Sequence, residues 1–426
     1  MPVSADETLT LAEAMKRAAD DTPGAVSDLA ERKAADARLQ GARVELWPEL
    51  ALSGGATTGT GNVVAGGVFQ SGGFPVVSGP PAAEETEAGW QSLAGLTARW
   101  DLLGLVARVR EVDAALAATE RSGAVAEAQR QSRAMSAGMA WLQAAQAADE
   151  VDVARTDVER GREVARAAEA LVEAGLRPGV ERTLAAADLA IAEQRLATVD
   201  GRAAATRARL ALAVGQAGST RPASGAVPAV PELPAANATH PLIRANSSMV
   251  EEADSRLHAT RARFAPRLDL AAAGWMRSGQ WPPGEQTEVV PNWAVGLVLE
   301  IPLRDLASRA SEAQALLAER DAARARLEAA RLEVGAQLAE AEALLEAASQ
   351  ADARSSVVVE AARAAFGQAQ GRFDAGLLDI TLVAAAKSRA REAELASLSA
   401  RFDVLRAALA RDYARGDLGG WMEPGR

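Results

Sequence analysis

The segment Asn292–Leu303, NWAVGLVLEIPL, decides how the chain folds. Trp293, Val295, Leu297, Leu299 and Ile301 occupy odd positions and are apolar, whereas Asn292, Ala294, Gly296, Val298 and Glu300 are mostly small or polar. Alternation with a period of two places the first set on one face of a β-strand. Pro302 closes that strand, and a very long Ala/Glu/Arg-rich helical pattern starts directly after it. A short strand feeding a very long helix is an uncommon join, and it occurs twice.

Self-comparison shows the second occurrence. ARLQGARVELWPELAL (Ala37–Leu52) aligns with SRLHATRARFAPRLDL (Ser255–Leu270) at an offset of 218, which places Pro48 on Pro266. GLTARWDL (Gly95–Leu102) meets GLVLEIPL (Gly296–Leu303), and EAGL (Glu173–Leu176) meets DAGL (Asp374–Leu377), both at an offset of 201. The offset falls by 17 between the two, so the first repeat carries the longer loop. One structural unit is written twice: residues 1–215 form the first repeat, 216–236 a Pro/Gly/Ser-rich connection, and 237–426 the second.

In the first repeat, Leu9–Leu46 has helical character, interrupted by DTPG at Asp21–Gly24. Leu50, Leu52 and Gly54 then share a strand face. Thr57–Gly89, rich in Gly, Pro, Ser and Val, is expected to be a long loop, and alternation resumes at Trp90 with Leu96, Ala98, Trp100 and Leu102 on one face. The hairpin therefore spans 48–102. Gly104–Val172 is one helical pattern of about 68 residues, which at 1.5 Å per residue extends roughly 100 Å. AGLRPGV (Ala174–Val180) breaks it, with Gly175 suited to a left-handed C′ position, and a return helix covers 181–214.

The second repeat follows the same plan. Ala238–Phe264 is helical, and Leu268, Leu270, Ala272, Gly274 and Met276 share a strand face. A turn region at Arg277–Pro291 contains Trp281-Pro282-Pro283-Gly284, giving a hairpin over 266–303. The long helix covers 305–373 and its return 380–413. Leu327, Val334 and Ala341 recur every seven residues, as do Leu338 and Leu345, which predicts coiled-coil seams narrowed by alanine.

Composition agrees with extended helices rather than a compact enzyme: among 426 residues only 4% are aromatic. The net charge of -11 gives no electrostatic case for nucleic-acid binding. No apolar run is long enough for a transmembrane helix. MPVSADETLTLAEAMKR at the N-terminus lacks the apolar core of a signal peptide, so a cytosolic chain or a mature secreted form is expected. Cysteine is absent, which excludes disulfides, thiolate metal sites and a Cys-linked lipid.

Each strand is about ten residues long, enough to cross a bilayer when tilted. A membrane sheet with bare edges costs several kcal/mol per unpaired backbone group, and four strands are too few for the smallest barrels of about 8. Strands that enter a bilayer therefore require several chains to share one barrel. Six of the eight tryptophans, Trp47, Trp90, Trp100, Trp275, Trp281 and Trp293, lie in or beside the strand segments, and Trp90, Trp100, Trp275 and Trp293 are candidate membrane-interface anchors. Asn292 and Glu300, with Arg267 and Asp269 on the adjacent strand, are expected to face a water-filled lumen.

The twofold repeat, the hairpin followed by a helix of about 68 residues, and the AGL breaks at Ala174–Leu176 and Ala375–Leu377 resemble the TolC-type outer-membrane efflux channels. LTLAEAMKRA (Leu9–Ala18), HPLIRA (His240–Ala245) and FDAGLLDITLVAAAKSRAREAE (Phe373–Glu394) are similar to recurrent segments of that family. The resemblance covers almost the whole chain. It implies a mainly α protein with a membrane β-barrel portion: a homotrimer in the outer membrane of a Gram-negative bacterium, with twelve shared strands above a periplasmic α-barrel of antiparallel coiled-coil helices. The implied function is a passive exit duct for efflux or secretion, served by a periplasmic adaptor and an inner-membrane transporter, with no cofactor. Gly175, Leu176, Gly376 and Leu377 would form the tips where the adaptor docks.

Some members of the family close the entrance with acidic residues six and nine positions after the tip glycine; here Leu382 and Ala385 hold those places in the second repeat, and Glu181 holds the first of them in the first repeat. Closure is therefore expected at an apolar constriction around Leu382, with Asp374, Asp379 or Glu181 as rim charges. The competing interpretation of the whole chain is a soluble coiled-coil scaffold whose β-like stretches are apolar linkers. Catalytic chemistry finds no support. GTGNVVAGG (Gly59–Gly67) lacks the lysine and the strand-to-helix setting of a phosphate loop. His240 and His258, the only histidines, have no companion at metal-ligand spacing.

Overall fold

The alternating segments of both repeats enter one antiparallel sheet. In the computed structural model, which describes residues 8–60, 88–223, 230–231, 240–262, 266–280, 286–300 and 306–423, strands β2 (Glu49–Thr60), β3 (Ala88–Asp101), β5 (Arg267–Gln280) and β6 (Gln286–Glu300) lie in the order β2-β3-β5-β6. The central seam joins the repeats, with Leu96 opposite Gly274 and Trp100 opposite Leu270. β2 and β6 are the edges.

Both hairpins are longer than the sequence pattern suggests. β2 runs on through Thr57–Thr60, where β-branched threonines favour extended backbone. The expected turn at Arg277–Pro291 is largely strand, since β5 continues to Gln280 and β6 begins at Gln286. Pro291 pairs with Met276 inside β6, a position that an edge strand tolerates. Residues 61–87, Trp281-Pro282-Pro283-Gly284, Ile301 and Pro302 lie outside the described residues.

Helices α1 (Leu11–Asp20), α2 (Pro23–Val44), α3 (Leu105–Glu173), α4 (Gly179–Ala213), α5 (Pro241–Ala262), α6 (Leu306–Asp374), α7 (Ile380–Ala414) and α8 (Gly419–Met422) complete the chain. α3 and α6 each run 69 residues without a break. Ala, Glu, Arg and Leu are strong helix formers, and on α6 a seam of buried Ala323, Ala330, Val334 and Ala341 follows the seven-residue spacing. Asp101 starts α3 by accepting from the Gly104 amide at 2.8 Å, and a Cβ at Gly104 would collide with that carboxylate.

Four left-handed glycines end the long helices and their returns, two per repeat: Gly175 with Gly376 after α3 and α6, and Gly215 with Gly416 after α4 and α7, each pair 201 residues apart. All four close a Schellman motif. The Leu176 amide donates to Leu171 and the Leu377 amide to Arg372, at 3.0 and 2.8 Å.

Two compact units are formed, each drawing on both repeats. One comprises 1–31, 124–245 and 328–426; the other comprises 32–123 and 246–327 and contains the sheet. The core of the first holds Met15, Trp141, Leu142, Leu210, Phe402 and Leu409. Leu9, expected to begin a helix, instead forms β1 (Thr8–Leu9), paired in parallel with β4 (Arg221–Pro222). The reason is local: Thr10 and Glu13 make a capping box that fixes the start of α1 at Leu11, and the Leu9 carbonyl accepts from the Trp141 indole at 2.7 Å. α8 closes the same core, with Trp421 donating to the fully buried Asp412.

Candidate functional site

Strand register sorts the sheet into two faces. Cross-strand partners share a face, so Leu50, Leu52, Leu96, Leu270, Val295 and Leu297 stand together. They are open to solvent in the single chain: Leu52 is 84%, Trp293 80% and Leu297 65% exposed. The other face carries Ser53, Thr97, Arg99, Asp101, Asp269 and Asn292, with the small residues Ala271 and Ala273 between them. An exposed apolar sheet face of this extent is not a normal soluble surface.

The candidate lumen residues fall on that second face. Asp269 is buried opposite Asp101, with the Arg99 guanidinium 3.9 Å away, and Arg267 pairs in register with Glu300. Glu49, Arg99, Asp101, Arg108 and Arg267 border a cavity of about 370 Å³ at this charged end. The tryptophans divide. Trp90, Trp100 and Trp293 lie on the apolar face, and the Trp100 indole donates to the Leu46 carbonyl at 3.1 Å. Trp275 does not join them: it pairs with Asn292 and Gly95 on the polar face. One step along a strand reverses the face, so Trp275 stands opposite the other three candidate tryptophans.

At the turns, Gly175, Leu176, Gly376 and Leu377 are all exposed. A small core lies behind them, built from Val164, Ala168, Phe366, Phe373, Ile380 and Val383. Leu382 is 55% exposed, and Asp374 is exposed as well. Asp379 is the N-cap of α7. Hydrogen bonds from the Thr381 hydroxyl and amide, at 2.6 and 2.7 Å, hold its carboxyl below the usual range.

Glu181 differs from expectation. It is 5% exposed and pairs with Arg177 at 3.2 Å, so it is a buried partner rather than a solvated rim charge. Arg177 also donates to the carbonyls of Gly376 and Leu378, at 2.8 and 2.7 Å, joining the turn of one repeat to that of the other. A second tie lies further along: Glu394 on α7 accepts from Arg160 on α3 and Arg363 on α6. Burial alone would raise the Glu394 pKa, but the two guanidiniums outweigh it and hold it below the ordinary value. Sequence spacing has no signal for either tie, because the partners come from different helices.

Among the described residues no cluster could hold a metal ion, and no helix is long and apolar enough to cross a membrane.

The profile of the outer membrane efflux protein family matches residues 26–216 and 233–410. The chain belongs to that family. Its members are channels rather than enzymes, and they reside in the outer membrane, so this outer membrane efflux protein is assigned a channel role there. No curated protein matches it in sequence. Among solved structures it is similar to the outer-membrane channel OprN, with a TM-score of 0.79 and 21% identity over 97% of this chain and 91% of that one. The outer membrane protein VceC of Vibrio cholerae gives a TM-score of 0.77 and 18% identity, covering 95% and 96% of the two chains. The open-state MtrE outer membrane channel of Neisseria gonorrhoeae gives 0.75 and 19% identity, covering 95% and 88%. At these identities the likeness establishes the fold: mainly α with a β-barrel portion.

Proposed function

We propose that three copies of this efflux protein close one twelve-stranded barrel in the outer membrane and form a passive exit duct. The observation that carries the proposal is the apolar sheet face bounded by two unpaired edge strands. In lipid an edge is tolerated only when another strand covers it. The edges are unlike, β2 on one side and β6 on the other, so copies join head to tail and close into a ring. The apolar face then meets lipid, with Trp90, Trp100 and Trp293 near its margins, while Asn292, Asp269, Arg267 and Glu300 belong to the lumen side.

The helical turns are the periplasmic end. Leu176 and Leu377, presented by the left-handed Gly175 and Gly376, offer apolar knobs to a periplasmic adaptor that links the duct to an inner-membrane transporter. The transporter supplies the energy; the duct supplies only a path. Leu382 lines the closed entrance, with Asp374 and Asp379 as its charged surroundings.

The chain has no cysteine, so edge pairing can be tested by crosslinking. Single cysteines scanned along β2 and β6, combined in pairs, should give a covalent ladder ending at three chains, and the protein should conduct ions in a planar bilayer. A monomer soluble without detergent, or a ladder that stops at two chains, contradicts the proposal.

A further inference from the structure

Between α3, α4 and α7, within one compact unit, lies a cavity of about 470 Å³. Val153, Ile191, Val199 and Leu395 give it an apolar wall, and polar side chains line the rest. Its size and lining are those of small-molecule sites. The polar groups around it fall into two kinds. At the rim Glu150 is already engaged, 3.8 Å from Arg202 and accepting from Gln146 at 2.9 Å.

Two atoms of the polar lining, on Asp157 and Arg391, are left without a partner. Asp157 is 2% exposed, and its Oδ1 has no hydrogen-bond partner. Arg391 sends its Nη2 away, to the Ser388 hydroxyl at 3.1 Å and to Glu392 at 3.6 Å, and its buried Nε–H has no acceptor. A buried carboxylate oxygen and a buried guanidinium N–H are each costly to leave unpaired. Two such groups around one cavity make complementary demands: Asp157 needs a donor and Arg391 needs an acceptor.

We infer that this cavity is a binding site for an amphipathic cation that carries an ammonium beside an oxygen on an apolar ring system. The ammonium donates to Asp157, the oxygen accepts from Arg391 Nε, and the ring lies against Val153, Ile191, Val199 and Leu395. Such a molecule bridges α7 of the second repeat to the α3–α4 hairpin of the first. The site is a property of the helical wall and does not depend on the barrel or on conduction.

Propranolol is a suitable probe, because it joins a naphthyl ring to an ether, a hydroxyl and a secondary ammonium. Titrated into the detergent-solubilised full-length protein, with detergent alone as the blank, it should bind saturably at one site per chain. Asp157→Leu should weaken binding at least tenfold, and Val199→Trp, which fills the cavity, should abolish it, both with helical circular dichroism retained. If Asp157→Leu loses its helical signal, Asp157→Asn replaces it, with the same direction expected. Absence of saturable binding to the parent protein overturns the inference. So does unchanged affinity in the Asp157 variant, or equal binding of 1-methoxynaphthalene, which lacks the ammonium.

Discussion

Removing the Arg177 side chain should loosen the second helical turn far more than it loosens the rest of the protein. Arg177 makes charge-assisted bonds to two carbonyls, Gly376 and Leu378, and neutralises the buried Glu181. Breaking a buried pair by deleting one partner costs about 3–5 kcal/mol, because the other charge is left without compensation. Arg177 retains some exposure, so water recovers part of that, and the lower end, about 3 kcal/mol, is the expected loss in Arg177→Ala. At 1.4 kcal/mol per tenfold this is roughly a hundredfold. The amides of Gly376 and Leu377, which bond back to Phe373 and Arg372, report it directly by hydrogen exchange. Their exchange should accelerate about a hundredfold in Arg177→Ala, while amides in the Trp141 core stay slow. Adding Glu181→Leu should restore most of the protection, since an apolar pair carries no orphaned charge. Unchanged exchange at Gly376 and Leu377, or a double variant no better than the single one, would refute the reasoning.

Three further outcomes follow from the geometry. Leu297→Arg, on the apolar sheet face, should cost about 2–4 kcal/mol of folding into lipid vesicles measured by urea titration, whereas Thr97→Arg on the opposite face should stay near the parent value. Gly376→Val should destabilise by at least about 1–2 kcal/mol, because its φ of 74° is left-handed; Gly367→Ala, inside α6 with open space at the Cβ position, should instead raise the melting temperature. Glu394 is held below its ordinary pKa in the folded protein, so its contribution is complete above the unfolded value near 4.5 and disappears as the pH falls through the lower folded value. Thermal stability measured down a pH series should therefore decline less steeply in Glu394→Gln than in the parent, from a lower starting point.

Much of this was legible in the sequence because the signals are periodic. Alternation at Leu50, Leu52, Leu96 and Trp293 marks a strand face, unbroken helical pattern marks α3 and α6, and the glycines at 175 and 376 mark reversals. What escaped depends on pairing between distant segments. The extension of β5 and β6 past Arg277 and Pro291 arises from the ladder that each strand supplies to the other, against the turn character of the residues themselves. The face of Trp275 followed from a parity that its indole obscured. Glu181 looked like a surface charge until Arg177, four residues before it, reached across to another turn.

The alternating strand directions have an evolutionary consequence. A single repeat, with one hairpin, would present the same two unlike edges as the whole chain, so a ring of half-length subunits would use one kind of joint throughout. Duplication turned that one joint into two. β3 against β5 is now covalently linked through the chain, and it holds the close approach of Gly95 to Trp275, 3.0 Å from a Cβ built on the glycine. In the proposed ring the joint left to other copies, β6 to β2, no longer has to tolerate the same pair. A fused gene can tune one seam for packing and keep the other simple enough to assemble from separate chains.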